Sequence, residues 1–220
     1  MANDPNHVYI EAARQNFVML CLDAFQRGYE RMVADAQYDV CWKEDKLTAH
    51  LVAKMEKTGF LNKKQIDIHH QPPIYDNGVI YGDDDPANAP VIDFKFVKWN
   101  KSLKFCYYAE AKNLSEKDWI KTDGSKATVD ASFYRGRYIG TGIQNFLSDR
   151  YPDGCLVGYI VQGSQDAVII GLNKLIQSRG LSPIMGFIEK DTAVTFSTCH
   201  RSFNGTQGSV RLLRHVFMKF

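Results

Sequence analysis

Asp93, Glu110 and Lys112 are the residues of this chain whose types and spacing could do chemistry. Pro90-Val91-Ile92-Asp93-Phe94-Lys95-Phe96 alternates as a strand does, and so does the run from Leu103 to Tyr108, Ala109, Glu110, Ala111 and Lys112. Successive side chains in a strand point to opposite faces, so Glu110 and Lys112 share one. The two strands can pair across the polar loop Trp99-Asn100-Lys101-Ser102 with Lys98 opposite Leu103; Asp93 then faces Tyr108 and lies diagonal to Glu110. Diagonal neighbours sit roughly 7–8 Å apart, near enough for two carboxylates to grip one small cation. A slip of one residue would turn Asp93 to the other face. Hard oxygen ligands select Mg²⁺ or Mn²⁺, which polarise a phosphoryl oxygen and activate a water. A lysine beside them can orient that water or stabilise developing negative charge. The competing reading is a solvated strand face with cross-strand ion pairs.

The elements that must position these groups follow from periodicity. Residues 8 to 36 form a long amphipathic helix with Val18, Leu22, Phe25, Tyr29 and Met32 at three- and four-residue steps. A second helix spans 42 to 58, with a stripe of Leu47, Leu51 and Met55 and Gly59 as its stop. Glu44 lies one turn before Leu47 and Thr48, on the buried side, where a carboxylate needs a partner. Residues 60 to 90 are turn-rich, with a hairpin expected at Asp76-Asn77-Gly78 between Ile74-Tyr75 and Val79-Ile80-Tyr81. After the two central strands come a polar loop over 113 to 130 and a helix over 131 to 149. Gly136, Gly140 and Gly142 weaken that helix and imply close packing against a neighbour. A doubly buried strand over 154 to 161 and a helix over 164 to 178 follow. Strands over 184 to 188, 193 to 198 and 209 to 217 end the chain. The class is α/β, a mixed sheet flanked by helices.

The 220 residues fit one domain. A net charge of +2 does not announce nucleic-acid binding, so any basic surface must be local. Five scattered cysteines without a CxxC pair argue against a zinc ribbon and fit a reducing cytoplasm. No signal peptide and no apolar run of about 20 residues is evident, so a cytoplasmic protein with no membrane partner is expected. No Gly-x-Ser-x-Gly or phosphate-cradling glycine loop points to another hydrolase class.

The order of acidic helix, Asp strand, Glu-x-Lys strand and helix resembles the PD-(D/E)xK nuclease superfamily. The positions read Glu44, Pro90-Val91-Ile92-Asp93, Glu110-Ala111-Lys112, and then the helix with Tyr134, Arg135 and Gln144. Two residues separate Pro90 from Asp93, a departure from the adjacent Pro-Asp of the family pattern. The match covers roughly residues 40 to 165. It implies a restriction-endonuclease-like mixed central sheet with a long N-terminal helix as an addition. The single domain 1–220 then divides into a helical segment 1–40, a nuclease core 41–165, and a C-terminal helix and strands 166–220. The implied activity is Mg²⁺-dependent (or Mn²⁺-dependent) hydrolysis of nucleic-acid phosphodiesters, DNA before RNA. Asp93, Glu110 and the Ala111 carbonyl would hold the ion, Glu44 would join directly or through water, and Lys112 would serve the attacking water. More loosely, residues 134 to 159 look like small bacterial proteins found with antiphage defence or mobile elements. The alternative is a catalytically silent, nuclease-like binding or assembly subunit, with the N-terminal helix as a surface for a protein partner or a second copy.

Lys121, Lys126, Tyr134, Arg135 and Arg137 interleave cations and rings after the Glu-Ala-Lys strand, a composition that holds phosphates and stacks bases; Gln144 lies further along the same helix. The bland reading is an exposed helix start with snorkelling side chains. Asp83-Asp84-Asp85 before Pro86 reads as a solvated turn, and His69-His70 as surface. Cys199 and His200 are strand neighbours that point apart, and His215 reads as structural.

Overall fold

The computed structural model describes residues 5–75, 80–82, 85–148, 150–182, 184–206 and 209–220. Helices α1 (Pro5–Asp35), α2 (Glu44–Lys57) and the short α3 (Phe60–Lys64) lead into β1 (Asp67–His70), β2 (Phe94–Asn100) and β3 (Leu103–Ser115). A two-stranded ribbon, β4 (Trp119–Ile120) with β5 (Thr128–Val129), precedes α4 (Ala131–Arg137). That helix widens into a π-helical stretch, Tyr138–Ile143, and tightens again into α5 (Gln144–Leu147). Then come β6 (Gly154–Gln162), α6 (Gln165–Ser178), β7 (Glu189–Lys190), β8 (Cys199–Thr206) and β9 (Ser209–Lys219).

The main sheet has the order β1-β2-β3-β6-β9-β8-β7. Its centre, β3-β6-β9, is parallel, and the pairings on either side of it are antiparallel. Alternation along each strand feeds two cores. Phe94, Phe96, Ala109, Ala111, Cys155 and Val157 pack under α1 and α2. Leu114, Leu156, Ile160 and Phe217 pack against the π-helical stretch, α5 and α6. The α1 stripe works as its spacing predicts: Phe25 is fully buried and meets Phe94 and Phe96 edge-on at 5.2 and 5.1 Å. Where α1 crosses α2, a Cβ at Gly28 would lie 2.4 Å from Met55 Cγ, so only glycine lets the two backbones approach this closely. No helix among the described residues is long and apolar enough to cross a membrane.

Several expected boundaries move. The hairpin turn is the two residues Lys101-Ser102, with Asn100 opposite Leu103 and Lys98 opposite Phe105. The expected register is therefore displaced by two residues, an even number that leaves every side chain on its expected face. The hairpin expected at Asp76-Asn77-Gly78 falls largely outside the described residues, while Ile80 and Tyr81 are helical. Of the three expected glycine contacts in the α4 region, Gly142 makes the tightest, where a Cβ would come within 2.9 Å of Leu156; Gly140 faces open space. Segments 184–188 and 193–198 are not strands. In the second, Asp191 accepts from the Ala193 N–H at 3.0 Å and folds the chain into turns, so the strand starts at Cys199 instead. His200 and His215 are both buried, the latter between Tyr138 and Ser202, at 2.9 and 2.8 Å; burial pushes its pKa down to about 3, as befits a neutral structural imidazole.

Candidate metal and phosphate site at an open strand edge

β3 is longer than its partner. Pairing with β2 stops at Phe94 opposite Ala109, and β3 runs six residues further with β6 on its other side. Backbone N–H groups left on that open edge need acceptors. Two carboxylates supply them. Asp93, just before β2, accepts from the Ala111 N–H at 2.7 Å, and Glu44, at the start of α2, accepts from the Asn113 N–H at 3.1 Å. Continuing the strand register by one step places Asp93 opposite Glu110, rather than diagonal to it as the sequence register has it.

Lys112 fills the space between these groups. Its ammonium donates to the Ala111 carbonyl at 2.7 Å, to Glu44 Oε1 at 3.3 Å and to Glu110 Oε1. Asp93, Glu110 and Lys112 are all at least nine-tenths buried. Burial, and then the Glu110 charge, push the Asp93 carboxyl up to about 7. Burial raises Glu110 as well, although Lys112 pulls the other way. Burial also lowers Lys112, but the Glu110 and Glu44 carboxylates outweigh it and leave the ammonium above its ordinary value. The cluster is short of positive charge.

No group of three or more His, Cys, Asp or Glu side chains among the described residues is gathered as an ion site. The donor chemistry nonetheless fits a small divalent cation. The Lys112 ammonium touches Glu110, the Ala111 carbonyl and Glu44, three of the four groups that the resemblance assigns to the ion, while Asp93 accepts from the Ala111 N–H. Asp93, held near neutrality by its surroundings, is the carboxyl that a cation would ionise.

The flanking residues divide. Arg137 lies 4.0 Å from Glu44 and lines a cavity of about 430 Å³ with Tyr134 and Lys121. Arg135 turns away, donating to the Ser115 and Glu116 carbonyls at 3.0 and 2.9 Å, so it ties down the end of β3. Lys126 and Gln144 are exposed and do not line that cavity. Lys43 and Asn113, which do line it, escape a reading of the sequence. Asn113 follows Lys112 on the opposite face of the strand, and its polarity at a buried position is the available signal. No family model, curated protein or solved structure matches the chain.

Proposed function

We propose that this chain is a metal-dependent nuclease with a PD-(D/E)xK-type site on a restriction-endonuclease-like sheet. The observation that carries the reading is the convergence of Glu44, Asp93, Glu110 and Lys112 from three separate stretches of chain on one open strand edge. Asp93, Glu110 and the Ala111 carbonyl would hold Mg²⁺ or Mn²⁺, with Glu44 beside them. A cation bound there supplies polarisation of the scissile phosphoryl oxygen and a more acidic water. Asp93 and Glu110 would set where the cation sits, since their carboxylates present negative charge to it. Lys112, released from the oxygens it now neutralises, has three protons with which to orient the attacking water and meet charge on the phosphate. Burial around the cluster strengthens each of these interactions.

The test is cleavage of plasmid and single-stranded DNA and of RNA with Mg²⁺, Mn²⁺ or EDTA. Activity should require the cation, disappear in Asp93→Ala, and fall on the order of 10²-fold or more in Lys112→Ala. One observation favours the alternative of a silent binding subunit: Lys112 already has oxygen partners for its three protons. A wild-type protein that cuts no substrate with either cation would decide for that reading.

A further inference from the structure

We propose that the cavity between the start of α2, the end of β3 and α4 holds one unpaired nucleotide next to the scissile phosphate. The substrate strand is then single-stranded or frayed at that point. This deepens the nuclease reading and rests on it.

The cavity's volume of about 430 Å³ falls within the roughly 300–1,000 Å³ of sites that enclose a small ligand. Its wall offers complementary chemistry for each part of a nucleotide. Lys43, Lys121 and Arg137 bring three cations against the carboxylates of Glu44 and its neighbour Asp45. Lys121 spends one proton on the Cys41 carbonyl at 2.6 Å and keeps two for a phosphate. Tyr134 is half-buried at the rim and presents a ring for stacking.

The most specific signal is Asn113. It is 6% exposed, and its Nδ2 donates to the Trp42 carbonyl at 3.1 Å, which fixes which way the amide points. The Oδ1 atom on the other side is buried without a hydrogen-bond partner among the described residues. A buried acceptor in that state calls for a donor, and where the cavity wall gives way to a ligand the amino or imino N–H of a base edge would be one. Bases inside a duplex are stacked and paired, and settle into a side cavity of this size only when taken out of the helix. Glu44 lines the cavity and also meets Lys112, so the nucleotide sits beside the reacting centre.

The experiment is fluorescence anisotropy in EDTA with a labelled single-stranded oligonucleotide and its blunt duplex, competed with a nucleoside 5′-monophosphate or with inorganic phosphate. The single strand should bind on the order of tenfold more tightly, and the nucleotide should compete where phosphate at equal concentration does not. Tyr134→Ala should lose on the order of tenfold in single-strand affinity while Tyr134→Phe keeps it, since stacking needs the ring and not the hydroxyl. Thermal melting of both variants guards against misfolding. Equal affinity for duplex and single strand, or undiminished binding by folded Tyr134→Ala, overturns the proposal even if the protein cleaves DNA. Retained single-strand preference in a protein that cuts nothing would instead sink the nuclease reading and leave the pocket standing.

Discussion

Replacing Asp93 by Asn should change how the stability of the metal-free protein responds to pH. Its folded pKa is about 7 against an ordinary value of 3.8, so the folded chain keeps a proton that the unfolded chain gives up. The stability this contributes is fully present below about pH 3.8 and is lost as pH rises through about 7. At about 1.4 kcal/mol per pH unit of displacement, the wild type should lose roughly 2–3 kcal/mol between about pH 5 and about pH 8 from this carboxyl. For a domain of this size that is roughly 5–10 °C in melting temperature. Asp93→Asn keeps an oxygen to accept the Ala111 N–H and has nothing to ionise, so its curve should lack this slope. Urea or thermal denaturation in EDTA across that range, wild type beside variant, measures the difference. Adding Mg²⁺ should flatten the wild-type curve, because a cation favours the ionised carboxylate, and should do little to the variant. Parallel curves for the two metal-free proteins would refute the claim that Asp93 is buried beside Glu110 and starved of positive charge.

The two arginines of α4 should separate cleanly. Arg135→Ala releases the Ser115 and Glu116 carbonyls and should lower the melting temperature. Arg137→Ala should instead weaken nucleic-acid binding and lower its salt slope by about one for each phosphate left without its cation, read by anisotropy over a salt series. Phe25→Ala, which empties the space against Phe94 and Phe96, should cost about 3–5 kcal/mol in denaturant unfolding.

What is legible in the sequence is what periodicity and parity control. The α1 and α2 stripes, the buried β6 run and the shared face of Glu110 and Lys112 all depend on counting by 3.6 or by 2. The displacement of the hairpin register is even, so the site survives it. β1 is illegible because its four residues are mostly exposed and carry no alternation. β8 is hidden by Ser202, Asn204 and Gly205, which read as turn residues although they are built into a strand, with Asn204 bonded to Ser202 and Gly186. Arg135 misleads because composition cannot tell a guanidinium that faces solvent from one that closes on backbone carbonyls. Asn113 stays hidden because only the fold shows that its amide is half satisfied.

The open edge of β3 has a consequence for self-association. An uncovered strand edge is a template on which another chain can add as a strand. Here the edge N–H groups of Ala111 and Asn113 are stoppered by Asp93 and Glu44. Each carboxylate spends one oxygen on its N–H and keeps the other, so removing the side chain is what would uncork the edge. A variant with both Asp93 and Glu44 replaced by alanine would leave those two donors without their acceptors, beside side chains that are buried in the wild type. Self-association of that double variant, absent from the wild type, would show that the two carboxylates also guard the sheet against strand addition.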